Sequence, residues 1–423
     1  MKVNQNITTL KPSSTLKINE RVKTLRKKGN TVYHFGFGQS PFPIHTEVVK
    51  GLKENAHNNH YLSVEGLADL RKEISTFLYK NQNVKAAPDQ VFIGPGSKEL
   101  LYQSILIFEG NYLIPKGSWV SYIPQIKAKG GSYEILETFF KDDFKLTPQA
   151  LEKHLKDHRS EQQVLILNSP NNPTGAVYSK KEYKALAEVC RKYEVIVFSD
   201  EIYSQINFLE DFSPSISEFY SERTIVFGGL SKVFSAGGYR LGFMALPKEF
   251  KELTSVYRSL FSETFSCVAA PIQFAAVKAY EFSDDLRKYI NASANILCGI
   301  SSYISENLTI ENIQCTNSQG AFYMMIGFEN YQKEIHELGI NTSSELGLYL
   351  LENYHVALLP GSDFALPDSE FFLRLAFVDF DGEKVMSAYQ NSQEITEEFI
   401  QRECNSVYQG TEKLIEFARD LRS

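Results

Sequence analysis

Lys232 lies in the segment GGLSKVFSAGGYRLGF, from Gly228 to Phe243, where glycines and apolar residues surround one lysine and one arginine. A lysine amine in apolar surroundings loses its charge easily, and the neutral amine is a nucleophile and a base. A lysine at the exposed end of an element is the plain alternative. Other chemistry-bearing residues stand upstream: Asp200 and Tyr203 in SDEIY, Asn172 in NSPNNPTG, and Gly96, Ser97 and Lys98 in GPGSKELL. Arg240 follows Lys232 by eight residues. A carboxylate, a phenol, an amide, a lysine and a guanidinium together suit proton transfer and anion binding. Each also has a plain reading. Asp200 fits a helix cap, NNPTG fits a turn, and Arg240 fits a surface ion pair.

The elements around these residues decide whether they meet. QVFIG, QVLILN, VIVFSD, TIVFGG and GFMAL read as buried strands, and the candidates follow directly after them. Between two strands lies SKKEYKALAEVCRKYE, where Ser179 and Glu182 form a capping box. Tyr183, Leu186, Ala187 and Cys190 then recur at helical spacing. Strands alternating with helices predict an α/β sheet covered on both faces, whose ligands bind beyond the carboxyl ends of the strands. The GxG at Gly94 and Gly96 has Glu99 in place of the third glycine, which argues against a dinucleotide site. It does open a helix, and backbone N–H groups there suit an anion. The C-terminal part reads as α+β, with strands in AFYMMI and FFLRLAFV and a helix carrying Leu414, Phe417, Ala418 and Leu421. The expected division is an N-terminal arm with part of a small domain over 1–60, a large domain over 61–285, and the small domain over 286–423.

The chain has 423 residues, 43% hydrophobic and 22% charged, which fits a two-domain globular protein. A net charge of −7 argues against nucleic acid as the main partner. The basic run Arg21–Lys28 reads as one solvated helix face. Five scattered cysteines favour neither a disulfide framework nor a zinc site. The sequence presents neither a signal-peptide core nor an apolar run of membrane-spanning length, so the expected setting is the cytoplasm.

Taken in order, YLSVEGLADLR, GPGSKELL, WVSY, NSPNNPTG, SDEIY, LSKVFSAGGYRLG, GAFY, PGSDF and LRLAF resemble the class I/II aminotransferases. These are fold-type I enzymes that use pyridoxal 5′-phosphate (PLP). The resemblance runs from about Tyr33 to Asp379 and is to the aspartate aminotransferase branch. It implies a large α/β domain with a mixed, mostly parallel sheet plus a smaller α+β domain. It implies that Lys232 holds the cofactor aldehyde as a Schiff base and, once freed, moves the Cα proton. Asp200 pairs with the pyridine nitrogen by the same resemblance, and Tyr203 and Asn172 with the ring oxygen. Gly96, Ser97 and Lys98 give backbone N–H groups to the phosphate, joined by Ser231 and Arg240. Trp119 stacks on the ring. Tyr61 reaches the phosphate of a neighbouring subunit, which makes the protein a homodimer. Arg374, with Asn172 and Gly38, takes the substrate carboxylate, and FGFGQSPFP and PGSDF line the mouth.

Two departures stand out. Gly229 replaces a serine, leaving Ser231 as the phosphate hydroxyl, and PKGSW replaces the usual approach to the stacking aromatic. The implied activity is amino-group transfer between an L-amino acid and a 2-oxo acid in two half-reactions. A β C–S lyase or racemase on the same scaffold is the first alternative. A PLP-binding regulator is disfavoured, since few residues precede the first matching segment.

Overall fold

The computed structural model describes residues 1–8, 10, 14–157 and 162–423. Strands β1 to β8 are Tyr33–His34, Val91–Gly94, Asn111–Pro115, Ser132–Leu136, Gln163–Asn168, Ile196–Asp200, Thr224–Gly229 and Gly242–Ala245. β9 to β13 are Gln314–Cys315, Tyr323–Gly327, Val356–Ala357, Leu359–Pro360 and Phe372–Ala376.

A seven-stranded sheet has the order β2-β8-β7-β6-β5-β3-β4. Only β8 runs against its neighbours; the other pairings within β7-β6-β5-β3-β4 are parallel. The central strands are buried along their whole length, as unbroken apolar runs with helices on both faces require. Successive side chains alternate between those faces. Val226 joins a core with Ile93, Phe243, Met324 and Leu373, while Phe227 joins another with Phe92, Phe198 and Met244. The carboxyl ends of β2, β3, β5, β6 and β7 therefore share one edge, which carries Gly96, Trp119, Asn172, Asp200 and Lys232.

The helix Lys180–Lys192 starts at the expected capping box, with Ser179 and Glu182 bonded reciprocally. It buries Tyr183, Leu186, Ala187 and Cys190. A second sheet, β12-β13-β10-β9, is antiparallel and packs in the same core as one face of the first. A third pairing, β1 with β11, brings the N-terminal segment alongside it. Helices Ala270–Glu281 and Asp284–Ile310 are separated by Phe282, which takes a φ of 52°. In the helix Ser14–Lys27, Val22 and Leu25 are buried against Val32, Leu351 and Ala357. The basic residues beside them face solvent, and Arg21 pairs with Glu352. Among the described residues no helix is long and apolar enough to cross a membrane, and no cluster suits a metal ion.

Gly229 has a packing reason. It faces Gly242 across the β7–β8 pair. A Cβ at 229 would lie 2.8 Å from both Gly242 Cα and the Leu241 carbonyl oxygen. Backbone cannot swing aside as a side chain can, so the serine expected from the resemblance does not fit this strand spacing. Gly229→Ser is expected to destabilise the fold by about 1–3 kcal/mol through overpacking. Urea denaturation checks this; an unchanged midpoint would mean that the two strands spread at no cost.

Candidate active site

β6 ends in Asp200, which is buried; the chain after it turns without forming a helix, so the cap reading does not hold. Its Oδ2 accepts a hydrogen bond from the Tyr122 hydroxyl at 2.7 Å. Its Oδ1 is buried with no hydrogen-bonded partner. Burial raises the carboxyl to about 6, against the opposing pull of Tyr122, the neighbouring Ile202 amide and Lys232. From the end of β5, Asn168 Nδ2 donates to the Asp200 carbonyl at 2.8 Å. Asn168 Oδ1 accepts from the Asn172 amide, also at 2.8 Å. The NNPTG segment is thus a turn that also aims a side chain.

That side chain reaches the second sheet. Asn172 Oδ1 accepts from Arg374 Nη1 at 3.2 Å, across 202 positions of sequence. Arg374 sits mid-strand in β13, 3% exposed, with Nη2 donating to the Gly36 carbonyl at 2.7 Å. Its guanidinium lies 4.7 Å from the Tyr323 ring centroid and 5.1 Å from that of Phe364. Its Nε is buried without a partner.

Lys232 follows β7 and is enclosed by these groups. Its Nζ donates to the Gly38 carbonyl at 2.6 Å and lies 5.8 Å and 5.4 Å from the rings of Tyr203 and Phe322. Burial, then the charges of Arg374, Lys98 and Arg240, lower the amine to about 7; Asp200 opposes them. The Tyr203 and Tyr323 hydroxyls are 2.9 Å apart. Gly38 is glycine by necessity, because a Cβ there would overlap the Tyr323 hydroxyl.

A second cluster lies at the turn after β2. Gly96, with a φ of 95°, starts the helix Ser97–Ile107. Arg240, itself at a φ of 49°, donates to the carbonyls of Gly237 and Pro95 at 2.9 and 3.2 Å. A Cβ at Gly96 would lie 2.5 Å from Arg240 Nη2, so glycine admits the guanidinium here. Lys98 Nζ sits 4.9 Å over the Trp119 ring, and Trp119 meets Tyr122 edge-on at 5.3 Å. Crowding by the surrounding protein and then Arg240 lower the Lys98 amine, although the residue as a whole is open to solvent. Ser231 is half-buried beside Lys232. Tyr61 stands apart from this cluster, 90% exposed.

Lys98, Lys232, Arg240 and Arg374 thus converge, with Asp200 acting on Lys232 and Asp363 on Arg374. The basic groups outnumber the carboxylates, so the site favours anionic ligands. Four residues of this site went unassigned in the sequence: Tyr122, Asn168, Tyr323 and Phe364. All four lie inside segments already singled out, WVSY, GAFY, PGSDF and NSPNNPTG, and Asn168 also ends the strand QVLILN. Strand-end position was the available signal for Asn168. Nothing local marked the others, whose roles depend on partners far away in sequence.

Residues 30–388 match the family Aminotransferase class I and II. The chain belongs to the class I and II aminotransferases. It is 32% identical to an aspartate aminotransferase of Geobacillus stearothermophilus, over 87% of this chain and 93% of that one. It is 29% identical to an aspartate aminotransferase of Bacillus subtilis, over 95% and 98% of the two chains. The fold matches that of a Thermus thermophilus aspartate aminotransferase solved with maleate, with a TM-score of 0.84 at 22% identity over 99% of both chains. The expected fold type, with its mixed, mostly parallel sheet, is borne out. So is the activity: this aminotransferase moves amino groups between amino and oxo acids.

The Lys232 shift has a measurable sign. Inside the fold the amine is charged only below about pH 7, but in the unfolded chain it stays charged up to its ordinary 10.5. The cost of burying it is therefore full below pH 7 and falls to nothing by 10.5. In cofactor-free protein, Lys232→Met is expected to melt above wild type in acid, with the difference shrinking as pH rises through that window. A pH-independent difference in melting temperature would show that the amine is not desolvated.

Proposed function

We propose that this aminotransferase binds pyridoxal 5′-phosphate at the edge described above and runs the transfer in two half-reactions. The supporting observation is the pairing of a half-buried lysine, its amine lowered to about 7, with a buried carboxylate that keeps one oxygen unpartnered. The residues fit the cofactor group by group. Lys232 would supply the amine for its aldehyde. Asp200 Oδ1 is free to take a pyridine N–H. Tyr203 and Asn172 lie within the same cluster for the ring oxygen, and Trp119 offers an aromatic face. Gly96, Ser97, Lys98, Ser231 and Arg240 supply backbone donors, a hydroxyl and a guanidinium for the phosphate. When bound, PLP supplies an electron sink conjugated to the substrate Cα.

The chain's own groups do the rest. Arg374 grips the α-carboxylate, with its Nε and the edge nitrogens as donors, and Asn172 and Gly38 border that grip. The Tyr323 and Phe364 rings lie against the guanidinium and shield it from water. The Lys232 amine, neutral near pH 7, takes the Cα proton and returns it. Asp200 stays charged through its Tyr122 bond and so can hold a positive ring nitrogen.

The donor is proposed to be a dicarboxylic amino acid. Arg240 and the turn amides answer the phosphate, and Arg374 answers the α-carboxylate. The Lys98 amine over Trp119 remains for a side-chain carboxylate, in keeping with relatives named aspartate aminotransferases. The exposed Tyr61 supports a homodimer in which it reaches the partner's phosphate. A cytoplasmic setting and the division at 61–285 and 286–423 complete the reading.

Absorption spectra of the purified protein with a panel of amino acids test the proposal. Wild type is expected to carry a Schiff-base band that aspartate converts to the pyridoxamine form without acceptor. Lys232→Ala should lack the band. Arg374→Ala should raise KM for every donor by about 100-fold, the worth of a charge-assisted hydrogen-bond pair. Lys98→Ala should impair aspartate but spare alanine. Pyruvate and ammonia released from cystathionine without an oxo acid would instead favour the lyase.

A further inference from the structure

The turn after Lys232 is tied to the segment carrying Gly38 by a chain of hydroxyls that none of the roles above uses. Ser235 takes a φ of 55°, a region that disfavours any side chain and suits glycine. Its amide donates to the Lys232 carbonyl at 3.2 Å. Its Oγ lies 2.7 Å from Ser40 Oγ and 3.0 Å from the Tyr289 hydroxyl. Tyr289, from the helix Asp284–Ile310, donates in turn to the Pro43 carbonyl at 2.6 Å. A hydroxyl donates once and accepts at the same time, so Ser40, Ser235 and Tyr289 bond head to tail and end on Pro43. Ser40 is buried, and it stands two residues after Gly38. The circuit closes there, because the Gly38 carbonyl accepts from Lys232 Nζ.

We propose that Ser235 and Ser40 are positioning residues: their hydroxyls clamp the mouth loop Gly36–Pro43 onto the Lys232 turn and hold the Gly38 carbonyl against the lysine amine. The inference rests on Lys232 being the reacting amine. A serine persists in a backbone region made for glycine because its hydroxyl is used there. Glycine at 235 would relax the backbone, and it would release the loop.

That opposition makes the test specific. In full-length protein, Ser235→Gly keeps the turn and removes the hydroxyl with its Cβ, and Ser40→Ala deletes the other end of the same bond. Ser235→Gly is expected to melt at or above the wild-type temperature. Both variants are expected to raise KM for the amino acid about tenfold, the worth of one hydrogen bond, with a smaller change in kcat. The double variant should be no worse than either single one, because both remove one interaction.

A second readout is independent of turnover. Peptide-resolved acetylation of Lys232 against pH, in cofactor-free full-length chain, reports where the amine becomes neutral. The charged groups facing it, Arg374, Lys98, Arg240 and Asp200, are unchanged in the variants. Loss of the Gly38 acceptor disfavours the ammonium, so the midpoint should fall in both. Wild-type KM and midpoint in both variants, or defects that only follow lost thermal stability, overturn the clamp. A Lys232→Ala variant that still transaminates overturns instead the reading of the lysine.

Discussion

Everything at this site depends on keeping the Lys232 amine out of water among other cations. An exposed lysine at neutral pH is an inert ammonium. Here burial acts first, and Arg374, Lys98 and Arg240 add to it, so the neutral form becomes accessible near pH 7. Asp200 pulls the other way, but it does not offset burial and three neighbouring cations. The imbalance is costly for the empty fold and useful to the enzyme, because an anionic ligand entering the site relieves it. A protein that binds a phosphate and a carboxylate can keep such a site; one without anionic ligands would lose stability for nothing.

The sheet makes this crowding possible. Six of the seven strands run in the same direction, so their carboxyl ends share an edge, and five of them need only a short turn to deliver a site residue. β8 runs the other way and returns the chain from Arg240 directly beneath the Gly96 turn. This places the guanidinium at the helix start without a long connection. The close pairing of Gly229 with Gly242 belongs to the same economy of space.

The parallel sheet and the strand-end residues were legible because both follow from local patterns. Apolar runs announced the central strands, and the Ser179–Glu182 box announced a helix start that the structure keeps. Lys232, Asp200 and Asn172 could be singled out because each follows a strand. The partners that give those residues their chemistry were not legible. Tyr122 touches Asp200 from 78 positions away, and Tyr323 touches Tyr203 from 120. The first contact depends on how the helix after β3 packs beside β6 and the second on how the second sheet seats against the first, and no spacing along the chain encodes either. The same holds for Ser235, whose left-handed backbone has no signature in a stretch already rich in glycine.

The two sheets meet through polar contacts as well as through their shared core. The Asn172–Arg374 bond spans them, and so does the Phe364 carbonyl, which accepts from the amides of Gly117 and Ser118 at 2.9 and 3.2 Å. Phe364 also turns its ring to Arg374, while Gly117 and Ser118 lead into Trp119. One residue therefore touches both the proposed carboxylate grip and the loop that carries the proposed stacking ring. Any displacement of Arg374 is therefore felt at the Gly117–Trp119 loop through a single packed side chain and its own backbone. The packing of Phe364 thus ties the position of Arg374 to that of the Gly117–Trp119 loop, so neither can shift without disturbing the same residue.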